Sequence, residues 1–339
     1  MFEWLYSLIY ELAGVWQGIL FVVFLLIGFV LLIKGADMFV NSASYIARAM
    51  EIPSIVVGMT LVAFGTSAPE ASVSISSSIL GSSGISIGNI IGSNMFNLLV
   101  VLGMSSIFIP VVLERSVVEA DVLFMTFSSI ILLIFGVFFG ANGQHMLLQI
   151  ECVIMFTILM LYLSFTVLKA IKNHVDEPDD KTITIRKILL SVVLLLVGLV
   201  GVVVGGDFVV FGAKNIATSL GMSDALVGLT IVAMGTSLPE LVTSLIAIKK
   251  KENEIALGNV IGSNIFNVLF VLGVSGAIAP MVVETNVLID ILIMAMISIA
   301  FFVYCMCRKD INRATGIVMV SMYVAYIVYI VLRDFVFIM

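Results

Sequence analysis

Ten apolar stretches follow one another along this chain of 339 residues, near 17–47, 54–80, 85–109, 117–140, 146–171, 186–218, 224–248, 255–279, 286–306 and 313–335. Each can cross a bilayer, which takes roughly 17–25 apolar residues in a helix. No water reaches the hydrocarbon layer, so backbone polar groups there must be satisfied by the chain itself. Long continuous stretches do this as helices, and the expected fold class is an all-α integral membrane protein with ten transmembrane helices. The first and sixth stretches are long enough to be strongly tilted or bent. Composition agrees, with 61% hydrophobic and 11% charged residues, where a soluble domain carries about a quarter charged. No soluble domain remains, since the longest polar segment is "KNHVDEPDDKTIT" at 172–184. A net charge of −6 on a largely lipid-facing surface gives no sign of a nucleic-acid partner.

The N-terminal "MFEWLYSLIYE" has no basic residue and no small-residue cleavage site, so it does not read as a signal peptide. Cys152, Cys305 and Cys307 fall in or beside predicted spans without metal-ligand neighbours and read as small apolar residues. Lysine and arginine fix an orientation. The odd-numbered connections hold Arg48; Arg115; Lys169, Lys172, Lys181, Arg186 and Lys187; Lys249, Lys250 and Lys251; and Arg308, Lys309 and Arg313. The even connections and both termini hold only Arg333. The odd side, with the linker at 173–184, is therefore expected in the cytoplasm of a plasma-membrane protein, and both termini outside.

Shifted by 170 positions, the sequence overlays on itself without a gap from Gly35 to Glu114. Between 57 and 70, 10 of 14 positions are identical to their mates, and between 88 and 103, 12 of 16 are. The chain divides into a first five-helix unit (1–172, most alike at about 57–103), a short cytoplasmic linker (173–184) and a second unit (185–339, most alike at about 227–273). An odd number of spans per unit makes the second enter the membrane from the opposite side. Two such inverted repeats are the plan of secondary transporters, whose ions bind near the midplane where the repeats meet.

The repeated blocks are polar. "GTSAPE" (65–70) and "GTSLPE" (235–240) each place a carboxylate, Glu70 or Glu240, in mid-span, where a charge is costly and by default functional. Thr66 and Glu70 are four apart and share a helix face, with Ser67 beside them. Pro69 cannot donate to the carbonyl of Gly65, so a kink is expected there. In the next span Ser93 and Asn97 are again four apart, while Asn94 faces elsewhere and is expected to bond to neighbouring backbone. The second unit repeats the set as Thr236, Ser237, Glu240, Ser263 and Asn267. Two carboxylates among neutral oxygens suit Na⁺ or Ca²⁺, and the oxygens exceed the six to eight that Ca²⁺ takes. Gly58, Gly88, Gly92 and Gly103 read as packing residues, and Ser74 as packed or bonded back to its own helix. Asp37 and Asp207 are repeat mates in spans one and six, candidates for the ion path or a gating contact; Asp37 has Lys34 three residues before it, a local ion-pair candidate. Glu114 and Glu284 mark the starts of spans four and nine, and His145 and His174 fall in loops.

The pairs "GTSAPE…GNIIGSNMFN" and "GTSLPE…GNVIGSNIFN" resemble the two alpha-repeats of the sodium/calcium exchanger family, within the cation/calcium antiporter superfamily. The resemblance implies ten helices in two inverted halves, long first and sixth helices that slide, and a prokaryotic type lacking the cytoplasmic Ca²⁺-sensing insertion of animal relatives. It implies Glu70 and Glu240 as main ligands, hydroxyl ligands at Thr66, Ser67, Ser93, Thr236, Ser237 and Ser263, main-chain carbonyls at Ala63 and Ala233, and Asn97 and Asn267 lining the centre. It further implies exchange of three Na⁺ moving in for one Ca²⁺ moving out, with no enzyme activity and no cofactor; the partners are the two ions and the lipid bilayer, with no obligate protein partner. Many relatives, including potassium-dependent ones, carry aspartate where this chain has Asn267, so K⁺ transport is not implied.

Three other readings compete. Ca²⁺/H⁺ antiport could use the same carboxylates, although proton-coupled relatives place their acid in a "GNxxE"-type motif. An intramembrane aspartyl protease built on Asp37 and Asp207 lacks its "GxGD" signature, because residue 204 is Val. A passive channel fits poorly with inverted repeats around a closed midplane site.

Overall fold

The computed structural model describes residues 14–141, 144–172, 184–221 and 233–338. In chain order they form α1 (Gly14–Ala49), α2 (Ser54–Thr66), α3 (Ala68–Ile79), α4 (Ser83–Phe108), α5 (Arg115–Phe138), α6 (Gln149–Lys172), α7 (Ile185–Ser219), α8 (Leu238–Lys249), α9 (Asn253–Ile278), α10 (Thr285–Cys307) and α11 (Arg313–Ile338). Eight of these are long and apolar enough to cross a membrane, and the bent pair α2/α3 makes a ninth. A single turn, Ala233–Gly235, precedes α8, and the first half of the seventh predicted span (224–232) lies outside the described residues. Helices α4 and α9 are enclosed by the others, whereas α1, α6, α7 and α11 turn most of their surface outward. Leu26, Val30, Leu189 and Val193 are among the large apolar side chains that α1 and α7 expose, as a lipid surface requires.

The expected kink is present. Helices α2 and α3 meet at Ser67 with a bend of 48°, two residues before Pro69. Wider π-helical turns interrupt the helices at Gly58–Val62, Asn97–Val101, Val118–Val122 and Asn267–Leu272. Such turns gather at functional positions, and here Asn97 and Asn267 each begin one. Helix ends also recur by half. Among the described residues, those with left-handed backbone are Glu51 (φ 54), Gly81 (φ 75), Gly221 (φ 91) and Lys251 (φ 65). They are two repeat-mate pairs, each with a glycine in one half and a longer side chain in the other. The conformation lets the last helical turn close on itself.

Helices α1 and α7 run antiparallel with backbone against backbone. A Cβ on Gly28 would lie 2.7 Å from the Val209 nitrogen, one on Gly35 2.7 Å from the Val202 nitrogen, and one on Gly205 2.5 Å from the Leu32 nitrogen. Glycines at 28 and 35 thus face glycines at 205 and 198, a contact that any side chain would force open. At 36 residues, α1 is roughly 54 Å long, well beyond the roughly 30 Å hydrocarbon layer.

Short strands tie the connections together. β1 (Val111–Val112), in the third connection, pairs antiparallel with β5 (Asp310–Ile311), in the ninth. β2 (Gly140–Ala141) and β3 (Gln144–Leu147), in the fourth, form a ladder with β4 (Met281–Val282), in the eighth. These pieces, too short to read as alternating sequence, add β-structure to the expected all-α fold. His145 lies in β3, and His174 lies outside the described residues.

Candidate ion-binding site

The bend at Ser67, and the break between the turn Ala233–Gly235 and α8, put the two carboxylates in the first turns of α3 and α8. Glu70 and Glu240 are fully buried. Their partners cross between the halves. Ser237 donates to Glu70 Oε1 at 2.9 Å, and Ser67 donates to Glu240 Oε1 at 3.3 Å. Ser263 of α9 also donates to Glu240 Oε1 at 3.4 Å. Thr66 lies 3.4 Å from the Ser263 hydroxyl and within 3.4 Å of the Ala63 carbonyl. That carbonyl also accepts from the Ser67 amide at 3.0 Å. Ala233 opens the turn before α8.

Around this cross, several buried polar atoms have no hydrogen-bond partner: Oε2 of both Glu70 and Glu240, the Ser93 hydroxyl, both amide atoms of Asn97, and Oδ1 of Asn267. Leaving such atoms unmatched costs about 1–3 kcal/mol apiece, more when charged, so a cluster of them marks a place where something else supplies the partner. The atoms are oxygens, apart from the Asn97 amide nitrogen, and two belong to carboxylates. That donor set fits a hard cation, Na⁺ or Ca²⁺.

Asn89 and Asn259 were not among the expected site residues, yet they bind it together. Asn89 Nδ2 donates to Ser74 Oγ at 3.0 Å and to the Glu70 carbonyl at 3.4 Å. Asn259 Nδ2 does the same to Ser244 Oγ (3.0 Å) and the Glu240 carbonyl (3.4 Å). Their oxygens accept from the threonines of the opposite half, Thr66 to Asn259 at 3.0 Å and Thr236 to Asn89 at 3.5 Å. A signal existed in the sequence: residues 89, 93 and 97 are successive fours on one helix face, as are 259, 263 and 267.

Two expectations are corrected. The Ser74 hydroxyl donates to the Ser86 carbonyl of the following helix at 3.2 Å, because α3 and α4 pack closely enough to offer it. Asn94 does bond to backbone as expected, its Nδ2 reaching the Asn264 carbonyl of the other half at 3.2 Å, and Asn267 Nδ2 donates to Asn94 Oδ1 at 3.1 Å. The local ion pair considered for Asp37 is replaced by a longer-range one. Asp37 is half-exposed and pairs with Lys250, in the α8–α9 turn, at 2.7 Å. Arg48 and Ser44 of α1 reach Glu252 in the same turn. Asp207 is partly buried in α7.

A family model for the sodium/calcium exchanger protein matches residues 20–168 and 190–332. The chain belongs to the sodium/calcium exchanger family. Within that family it is 36% identical over 306 residues to an uncharacterized membrane protein of Methanocaldococcus jannaschii, covering 90% of this chain and 96% of that one. It is 32% identical over 337 residues to the sodium/calcium exchanger MaX1 of Methanosarcina acetivorans, with the same coverage. A solved structure of the sodium-calcium exchanger NCX_Mj, in Na⁺ without Ca²⁺, superposes with a TM-score of 0.81 at 34% identity over 92% of this chain and 99% of that one. As a member of this exchanger family the chain is a multi-pass membrane transporter and not an enzyme.

Proposed function

We propose that the chain is an antiporter that carries Na⁺ inward and Ca²⁺ outward through one midplane site shared by two inverted halves. The observation that carries this reading is the crossed pair of bonds, Ser67 to Glu240 and Ser237 to Glu70, with the second oxygen of each carboxylate left free among neutral oxygens. Glu70 and Glu240 are the charged ligands. Thr66, Ser67, Ser93, Thr236, Ser237 and Ser263, the carbonyls of Ala63 and Ala233, and Asn97 and Asn267 complete the shell. Two negative charges balance one Ca²⁺ or two Na⁺. A third Na⁺ leaves the loaded site at +1, so a cycle of three Na⁺ for one Ca²⁺ moves net charge.

The inverted ten-helix arrangement draws support from the strand pairs, which join the third connection to the ninth and the fourth to the eighth, odd with odd and even with even. The halves are then 1–172 and 185–339, with both termini outside and the 173–184 linker in the cytoplasm. Asp37 and Asp207 lie on the helices that would slide, in the ion path or at its gate.

The test is uptake of radioactive Ca²⁺ into proteoliposomes loaded with Na⁺, against vesicles carrying only a pH gradient. Uptake driven by outward Na⁺ and stimulated by a compensating voltage is expected. Uptake from the proton gradient alone would make the protein a Ca²⁺/H⁺ antiporter.

A further inference from the structure

A hydroxyl that ligates a cation must send its proton elsewhere, because its lone pairs face the positive charge and the O–H bond must point away. Thr66 shows where. Its hydroxyl lies 3.0 Å from Asn259 Oδ1, its shortest polar contact, on a helix of the other half. The orientation of Asn259 is fixed by its surroundings. Its other amide atom lies 3.4 Å from the Glu240 carbonyl oxygen, which can only accept, so Nδ2 must be on that side. Oδ1 is therefore held toward Thr66, with nothing to do but accept. The mate repeats the construction with longer bonds: Asn89 Nδ2 faces the Glu70 carbonyl, and Asn89 Oδ1 accepts from Thr236 at 3.5 Å.

We propose that Asn259 and Asn89 are positioning residues of the ion site, each taking the hydroxyl proton of a threonine from the opposite half and presenting that threonine to the cation as an acceptor only. The same amide clamps the first turn of the helix that carries the carboxylate. Ligand orientation and the docking of the two halves thus share one side chain on each side of the repeat axis. Bonds between buried partners rigidify when fully satisfied, and Asn259 has donors and acceptor all engaged. This extends the cation-site reading above and rests on it.

The experiment is a double-mutant cycle on the purified full chain, read as Ca²⁺ binding by titration calorimetry and by Ca²⁺-dependent shift of the melting temperature, neither of which needs transport. The variants are Thr66→Val, Asn259→Leu and the pair. Asn259→Leu is expected to weaken Ca²⁺ binding about tenfold, the size of one lost oriented hydrogen bond. The double variant should lose less than the product of the two single losses, because without the Thr66 hydroxyl Asn259 has no proton to take. Losses that multiply, or parent-like binding in Asn259→Leu, would overturn the proposal. If Asn259→Leu does not fold, Asn259→Asp keeps the accepting oxygen, and in that background Thr66→Val should still carry its full loss; a loss that vanishes there would also overturn it. Absence of Ca²⁺ binding by the parent protein would instead overturn the cation-site reading itself.

Discussion

Replacing Gly205 by alanine tests the packing of α1 on α7. The added methyl would sit 2.5 Å from the Leu32 nitrogen, 2.8 Å from the Gly28 oxygen and 2.9 Å from the Leu32 Cα. All three are backbone atoms in the middle of a helix, so no rotamer change relieves the clash. Restoring an ordinary 3.4 Å contact requires the helices to part by roughly 0.9 Å, and the parting is felt at Gly28, Gly35 and Gly198 along the same seam. Overpacking of this kind costs about 3 kcal/mol where nothing can yield. Alanine recovers ~1 kcal/mol of helix propensity over glycine, leaving a net loss of about 2 kcal/mol. The neighbouring Gly206 is an internal control, for there a methyl would meet side-chain atoms of Pro239 and Leu32 at 3.4 Å and beyond. Gly206→Ala should melt at or slightly above the parent temperature in detergent, and Gly205→Ala several degrees below it, by fluorescence-detected size exclusion after heating. Equal melting of the two variants would refute backbone contact at this seam.

Other perturbations address the site and the frame. Glu70→Gln or Glu240→Gln keeps shape but removes one of two charges; each should weaken Ca²⁺ binding about a hundredfold, equivalent to ~3 kcal/mol, and stop Ca²⁺ uptake while the elution profile stays monodisperse. Cysteines introduced at Asp180 and Ile338 should react with an impermeant maleimide from opposite sides of intact cells; labelling from one side would break the odd-span repeat. Asn267→Asp adds a third carboxylate to a site with two, so its exchange rate should vary with pH more than the parent's, and the parent should run without K⁺; superimposable pH profiles or a strict K⁺ requirement would remove position 267 from the site. Lys251→Gly relieves a left-handed residue at φ 65 and should raise stability by about 1 kcal/mol, read from the midpoint of thermal unfolding; an unchanged midpoint would argue that the turn is not under strain.

What could be read from sequence follows from how each feature is encoded. Membrane spans are written as continuous apolar runs, and the repeat as identity at a fixed shift, so both are visible without coordinates. Pro69 likewise announces its kink, because a missing donor acts on its own helix. Contacts between helices are written in no single stretch. The glycines of α1 and α7 are ordinary until the antiparallel register places Gly28 on Gly205 and Gly35 on Gly198. Lys34 is the near neighbour of Asp37, but the pairing with Lys250 depends on a turn more than two hundred residues away. Asn89 and Asn259 were legible in part, since the spacing put them on the ligand face; what the spacing could not say is that their oxygens look across to the other half. The left-handed residues Glu51 and Lys251 become readable only through their glycine mates at 221 and 81.

The two strand ladders have a mechanical consequence. Each fastens a connection of one half to a connection of the other, β1 to β5 at one face and β3 to β4 at the opposite face. A body riveted at both ends cannot open like a book about a hinge at either end. Neither ladder includes α1 or α7, which instead hold each other through bare backbone. Among the described residues the two ladders therefore lock connections of one half to connections of the other, while the α1–α7 pair stands outside that lock.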